Sequence, residues 1–482
     1  MNLRAIFHLI SYMLLVLGLA VLVCLGVSVY FNDSLATQQG LSASAAIICG
    51  VGLISAFLTR GRVDLSRVDG FGIVTFGWVF ASLFGALPYL LTGTIEHPVS
   101  AVFETMSGFT TTGASVLTDL ESFPRGVLFW RAMTHWFGGM GVLVLCVAIL
   151  PFLGVGGMQI YRAEMPGPSK DRLTPKIATT AKLLWGVYVL LCAVLTALLC
   201  LGGMTLFDAL CHAFATMATG GFSTRTLSVG AYNSVYFDVV ITFFMILAGT
   251  NFALHYRALT GQPLAYFRES EFLYYIFFLG GAIVMLTLTV WGSVYGSLWQ
   301  ALRAAAFQGT SIMTTTGFVT ADFDQWPNAA RTLLVLLMFI GGCAGSTGGG
   351  IKVVRVSVLL KKTMRELRRF VRPQAVWAVK LNRKSVEQSV ISHISAFFAM
   401  FIILFALFSI LMTFFTPDTE TALTSVIATM GNIGPGLAAV GATQNYADIP
   451  AVGKSILVFC MLLGRLELYT VLIVLLPSTW KK

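Results

Sequence analysis

The sequence predicts an all-α polytopic membrane protein: four pseudo-symmetric repeats of helix, pore helix, filter stretch and helix, preceded by a two-helix hairpin. Three observations carry that expectation. The 482 residues are 57% hydrophobic and only 11% charged, with mean hydropathy +0.83, whereas a soluble globule carries about 25% charged residues. About ten apolar runs reach the roughly 20 residues that a helix needs to cross a hydrocarbon core of about 30 Å. Between those runs a short stretch recurs four times: FTTTGA (Phe109–Ala114), MATGGF (Met217–Phe222), MTTTGF (Met313–Phe318) and MGNIGP (Met430–Pro435). Gly113, Gly221, Gly317 and Gly434 then superpose, and a recurrence of this kind is the signature of an internal repeat.

Residues 1–69 hold two apolar spans, about 5–30 and 40–58, before any filter stretch. The first is longer than the apolar core of a signal peptide and reads as a retained helix. Repeat 1 (70–155) follows, with spans at about 71–93 and 125–150 around the short segment His97–Gly108. Repeat 2 (156–270) brackets Leu206–Ala218 with spans 183–202 and 234–255. Repeat 3 (271–384) brackets Leu298–Met313 with 272–292 and 329–360, and repeat 4 (385–482) brackets Glu420–Met430 with 386–415 and 451–477. Each bracketed segment is too short to cross. As a half-helix ending at the filter, it aims its partial negative charge toward a cation.

The candidate metal-binding residues are Thr111, Thr112 and Gly113; Thr219, Gly220 and Gly221; Thr315, Thr316 and Gly317; and Asn432, Ile433 and Gly434. Hydroxyl and backbone oxygens on a narrow path replace a cation's water shell, and glycine permits the left-handed turns that such a path requires. Nine residues before each glycine stand Glu104, His212, Gln308 and Ser425. They either tie the back of the filter or line the ion entrance.

Only one span is expected to be irregular. In repeat 3, Arg331–Ile340 runs into GGCAGSTGGG (Gly341–Gly350), about 15 Å into the membrane by helix rise. Non-helical backbone at that depth must be buried in protein or line a cavity. A phosphate-binding loop is excluded because Ile351 follows Gly350 where a lysine is required. Close helix packing is the plainer reading of so many small residues; a gate formed by Gly345, Ser346, Thr347, Gly348, Gly349 and Gly350 is the sharper one. Arg465, about 20 Å into the last span, is the second gate candidate, since a charge at that depth is expensive and usually functional. Glu467, two positions away, projects from a different side of the helix.

Of the 31 basic residues, 24 fall on one side of this topology, including eleven between Lys352 and Lys384. The positive-inside rule places both termini in the cytoplasm and accounts for the +10 formal charge without nucleic acid. The eight cysteines form no CxxC pair and indicate neither zinc nor a disulfide framework. The six histidines form no HExxH motif, so neither a catalytic site nor a cofactor site is expected and the chain is not read as an enzyme.

Several strings carry a family resemblance: SGFTTTGA (107–114), HWFGGMG (135–141) with AILP (148–151), MPGPSKDRLTPKIATTAKLLW (165–185), GTNFALHY (249–256), GGCAGSTGGGIKVVR (341–355) and GRLELYT (464–470). Through them nearly the whole chain resembles the TrkH/TrkG bacterial potassium-uptake family, in the superfamily that includes KtrB and the plant HKT transporters. The resemblance implies a homodimer in the bacterial inner membrane with one four-repeat pore per subunit. It implies K+ as the transported and filter-bound ion, and a TrkA-type cytosolic subunit through which alone a nucleotide acts. Filter glycines in all four repeats are the family's mark of potassium selectivity, and transport as a channel and as a symporter are both open. Membrane lipids are the remaining expected partner, at the basic inner surface.

Overall fold

The computed structural model describes residues 1–61, 66–141, 177–375, 377–382 and 384–480. The strings at 148–151 and 165–176, the end of the span expected to reach 150, and Arg62, Arg162, Lys170, Arg172, Lys176, Arg383, Lys481 and Lys482 lie outside those residues. Among the described residues the chain is helical apart from loops and one short hairpin, in which Lys380–Leu381 pairs with Lys384–Ser385.

Helices α1 (Leu3–Tyr30) and α2 (Leu35–Leu58) form the leading hairpin. The side chains of Asn2 and Ser34 cap them, accepting from Ala5 N at 3.2 Å and Thr37 N at 3.3 Å. In the turn between them, the Asp33 carboxylate accepts from the backbone N–H groups of Arg125 and Gly126 at 3.1 and 2.8 Å. A carboxylate there satisfies two open donors and suits the positive end of the helix that starts at Arg125. The hairpin is thereby pinned to the first repeat.

That repeat comprises α3 (Arg67–Gly85), α4 (Leu87–Leu91), the half-helix α5 (Pro98–Phe109) and α6 (Arg125–Gly139). Trp130 of α6 is fully buried and donates its indole N–H to Gly85 O at 3.0 Å, fixing α6 to the end of α3. The second unit holds α7 (Ile177–Leu201), half-helix α8 (Leu206–Met217), α9 (Val235–Ala248) and α10 (Phe252–Leu259). The third holds α11 (Ser270–Val290), half-helix α12 (Leu298–Met313), α13 (Asn328–Met338) and α14 (Val353–Val371). In the fourth are α15 (Gln388–Met412), half-helix α16 (Thr419–Met430), α17 (Ala451–Arg465) and α18 (Tyr469–Leu475). The half-helices α5, α8 and α16 have 12 residues each and α12 has 16. At 1.5 Å per residue they span about 18–24 Å, short of the bilayer core.

The expectation of one irregular span is corrected. The second helix of repeat 2 bends by 101° between α9 and α10, and that of repeat 4 by 117° between α17 and α18. In repeat 4 the break comes at Glu467 and Leu468, both with a positive φ of 54°, and the turn is closed by Tyr469 N donating to Glu467 O at 2.6 Å. In repeat 1, α6 stops at Gly139 and Gly141 is left-handed. Repeats 2, 3 and 4 therefore each interrupt the second helix soon after the level of the filter, with repeat 3 inserting more chain there than repeats 2 and 4, and in repeat 1 α6 ends at the corresponding level.

Candidate functional site

All four half-helices end alike. The next residue but one, Thr111, Thr219, Thr315 or Asn432, is left-handed, with φ of 52°, 56°, 57° and 54°. The N–H after it reaches five residues back: Thr112 to Ser107 O, Gly220 to Ala215 O, Thr316 to Ser311 O and Ile433 to Ala428 O, each at 2.8 Å. This is a Schellman closure, whose left-handed position ordinarily holds glycine or asparagine. A β-branched threonine there costs about 1–2 kcal/mol. Three such threonines at equivalent places indicate that the side chain is needed, because strain of this kind persists at functional sites. Two of them show why: the Thr111 hydroxyl accepts from Arg465 Nη1 at 3.2 Å, and that of Thr315 from Gly349 N at 2.7 Å.

Two residues further on, Gly113, Gly221, Gly317 and Gly434 are also left-handed, with φ of 81°, 78°, 79° and 101°. A Cβ built on Gly113 would overlap Gly220 O, one on Gly221 would overlap Thr316 O, and one on Gly317 would overlap Ile433 O. On Gly434 it would stand 2.7 Å from Thr112 O. The partners run from repeat 1 to 2 to 3 to 4 and back to 1. Each glycine thus presses against the carbonyl that precedes the next glycine, and the four stretches close into a ring. The oxygens gathered there are neutral carbonyls and hydroxyls, hard donors of the kind that replace a cation's hydration shell.

Behind the ring, the polar position on each half-helix ties down the strand that leaves the filter. Glu104 accepts from Ser115 Oγ at 3.0 Å and Val116 N at 2.9 Å, and pairs with the buried Arg131 at 2.7 Å. Arg131 also donates to Ser223 O of repeat 2 at 2.9 Å and lies over the Phe222 ring at 3.5 Å. His212 meets Ser223 Oγ at 2.9 Å. The Gln308 amide faces Thr320 and Ala321, accepting from Thr320 N at 2.7 Å in its better orientation. In repeat 4 the role shifts by one residue. The hydroxyl of Ser425 bonds only within its own helix, to Ala422 O, while Thr424 Oγ1 accepts from Leu437 N at 3.0 Å. These contacts favour the tie over the ion-entrance reading for Glu104, His212 and Gln308, while in repeat 4 the tie is made by Thr424 and not by Ser425.

Every seam between repeats is also bridged on the half-helix start side. Thr226 donates to Glu121 across the first seam, Gly230 N to Val319 O at 3.0 Å across the second, Ala438 N to Asp324 Oδ1 at 3.1 Å across the third, and Tyr446 N to Ser115 O at 2.8 Å across the fourth. Burial alone would raise the Glu121 carboxyl; the bonds from Thr226 outweigh it and hold it below its ordinary value.

On the opposite side of the ring lies Gly341–Gly350, non-helical and largely buried. Gly341 N donates to Ile351 O at 2.9 Å and Val353 N to Gly342 O at 3.2 Å, which cinches the two ends together. Thr347 Oγ1 donates to Met217 O at 2.9 Å and Ala248 O at 3.1 Å in repeat 2, and Gly349 N reaches the Thr315 hydroxyl in repeat 3. A Cβ on Gly349 would stand 2.5 Å from Gly431 O of repeat 4. The loop thus spreads beneath the carbonyl ends of three half-helices. Arg465 completes the contact with repeat 1: its guanidinium donates to Thr347 O at 2.8 Å, to the Thr111 hydroxyl, and to the α6-terminal carbonyls Gly138 O and Gly139 O. A cation at a helix C-terminus is favourably placed. Glu467 does project elsewhere, to an ion pair with Arg355, which also lies over the Phe397 ring at 4.0 Å.

The basic stretch after the loop is therefore not all surface. Lys352 and Arg355 are buried, and the Lys352 ammonium donates to Gly348 O and to Gly349 O, the latter at 3.4 Å. Sequence reasoning missed these inward roles, along with Arg131 and the left-handed threonines. Only the threonine-before-glycine recurrence hinted at the last.

A family model described as "Cation transport protein", TrkH, matches residues 37–481. The Trk system potassium uptake protein TrkH of Halomonas elongata is 40% identical over 100% of both chains, and that of Escherichia coli is 42% identical over 88% of each. The crystal structure of the potassium transporter TrkH from Vibrio parahaemolyticus superposes with a TM-score of 0.89 at 35% identity, covering 100% of both chains. Six continuous helices are long and apolar enough to span a membrane, and the bent pairs bring the number to eight among the described residues. The molecule is accordingly a multi-pass membrane transporter rather than an enzyme, and it belongs to the TrkH family of cation transport proteins.

Proposed function

We propose that this protein takes up potassium across the bacterial inner membrane through the axis of the four-repeat ring. The observation that carries this reading is the closed cycle of glycine-on-carbonyl contacts with its repeated pairs of left-handed residues. Thr111, Thr112, Gly113, Thr219, Gly220, Gly221, Thr315, Thr316, Gly317, Asn432, Ile433 and Gly434 form the filter and hold dehydrated K+, mainly through backbone oxygens. The half-helix C-termini add partial negative charge. The relatives' names as potassium uptake proteins support K+ as the cargo.

Residues 345–350 and Arg465 form the gate, in its blocking arrangement here. Opening requires only a partner that binds the open arrangement more tightly than the closed one. A TrkA-type cytosolic subunit, the carrier of any nucleotide dependence, docks on the basic segment after the loop, and the working assembly is a homodimer with both termini cytoplasmic. The exposed lysines and arginines of that segment also face anionic lipid. The test is potassium-dependent growth of an uptake-deficient strain expressing the chain with and without the regulatory subunit, alongside rubidium uptake challenged by organic solutes. Rescue with rubidium uptake blind to organic solutes supports the reading, and solute-competed uptake contradicts it.

A further inference from the structure

Helix α11 begins repeat 3 about 70 residues before the loop in sequence, yet one of its side chains reaches it. Glu271, in the first turn of α11, is buried, and a single carboxylate oxygen, Oε1, accepts from Ala344 N at 2.7 Å and from Val354 N at 3.1 Å. Ala344 lies inside the loop. Val354 lies in the first turn of α14, whose N–H groups have no partner within the helix. One oxygen thus holds both the rising and the returning limbs of the insertion. A carboxylate suits the task, because it makes stronger hydrogen bonds than a neutral acceptor and sits at the positive end of α14. From the other side the Lys352 ammonium holds the loop's carbonyls Gly348 O and Gly349 O. The acid takes the loop's N–H groups and the base takes its C=O groups.

We propose that Glu271 is a positioning residue that clasps the loop in its blocking arrangement; this rests on the gate reading above. Without the carboxylate, two buried N–H groups have no acceptor while the gate is closed, and that penalty falls away once the loop moves to meet water or other partners. The loop carries its own reporter. Cys343, next to Ala344, is 1% exposed and its N–H is bonded to Gly249 O at 2.8 Å.

The experiment reconstitutes the full chain in liposomes without regulatory subunit. It measures potassium flux together with alkylation of Cys343 by N-ethylmaleimide, read by peptide mass mapping, for wild type, Glu271→Ala, Glu271→Gln and a deletion of 345–350. Glu271→Ala should raise basal flux about tenfold, the weight of one hydrogen bond to a charged group, and raise Cys343 labelling with it. Glu271→Gln, which keeps a weaker acceptor at the same reach, should fall between. Should Glu271→Ala not fold, Glu271→Asp, which keeps the charge but withdraws the acceptor, carries the same expectation. If the substituted protein keeps wild-type flux and a protected Cys343 while the deletion raises flux, the clasp is wrong and the gate stands. If the deletion leaves flux unchanged too, the gate reading falls with it.

Discussion

Replacing Gly113 with serine tests the ring at one of its three tight contacts. The serine must adopt φ near +81°, a region that costs an L-residue about 1–2 kcal/mol. Its Cβ also overlaps Gly220 O, so that carbonyl must retreat by at least about 1.3 Å to regain ordinary contact. On the proposed filter reading Gly220 O is one of four oxygens that define the aperture, and dislodging it would leave the cation partly uncoordinated. Losing about 1.4 kcal/mol of preference for potassium over sodium corresponds to a tenfold drop in selectivity. Gly434→Ser gives an internal control, because its Cβ stands 2.7 Å from Thr112 O and demands a smaller shift. Bi-ionic reversal potentials on reconstituted protein would report both. The ring account expects Gly113→Ser to fall about tenfold in selectivity and Gly434→Ser to fall less. A folded Gly113→Ser protein with wild-type selectivity would refute the argument.

The repeat architecture was legible because it depends on periodicity. Hydroxyl residues before a glycine between membrane-length apolar runs leave few other arrangements. The half-helices were located to within a residue or two, since their length is set by the distance from the surface to the filter. The breaks in repeats 2 and 4 were not legible. They fall at Gly249–Asn251 and Leu466–Leu468, where no glycine run announces them and tertiary contacts such as the Arg355–Glu467 pair hold an unfavourable backbone. Thr111, Thr219 and Thr315 in left-handed conformation contradict local preference, so only the packed structure reveals them. Glu271 was invisible for a simpler reason: its partners Ala344 and Val354 lie 73 and 83 residues away.

Arg465→Ala removes donors to Thr347 O, the Thr111 hydroxyl and two helix-terminal carbonyls; basal flux should rise severalfold with the loop intact, and an unchanged flux in liposomes would count against its gate role. Glu104→Ala strands the buried Arg131 and should cost about 3–5 kcal/mol, read as a lower denaturation midpoint in detergent; a loss below about 1 kcal/mol, the scale of an exposed pair, would show that Arg131 finds another partner. Neutralising Lys361, Lys362, Arg368 and Arg369 together should weaken regulatory-subunit binding in a pull-down and blunt its nucleotide response. If both persist while binding to anionic vesicles falls, the segment serves lipid instead.

The most direct measurement is an experimental structure with thallium or rubidium in place of potassium, its ions located by anomalous scattering. The account predicts density on the axis of the ring, equidistant from the carbonyl oxygens of Thr112, Gly220, Thr316 and Ile433. Ions bound elsewhere, with the ring axis empty at saturating concentration, would contradict it.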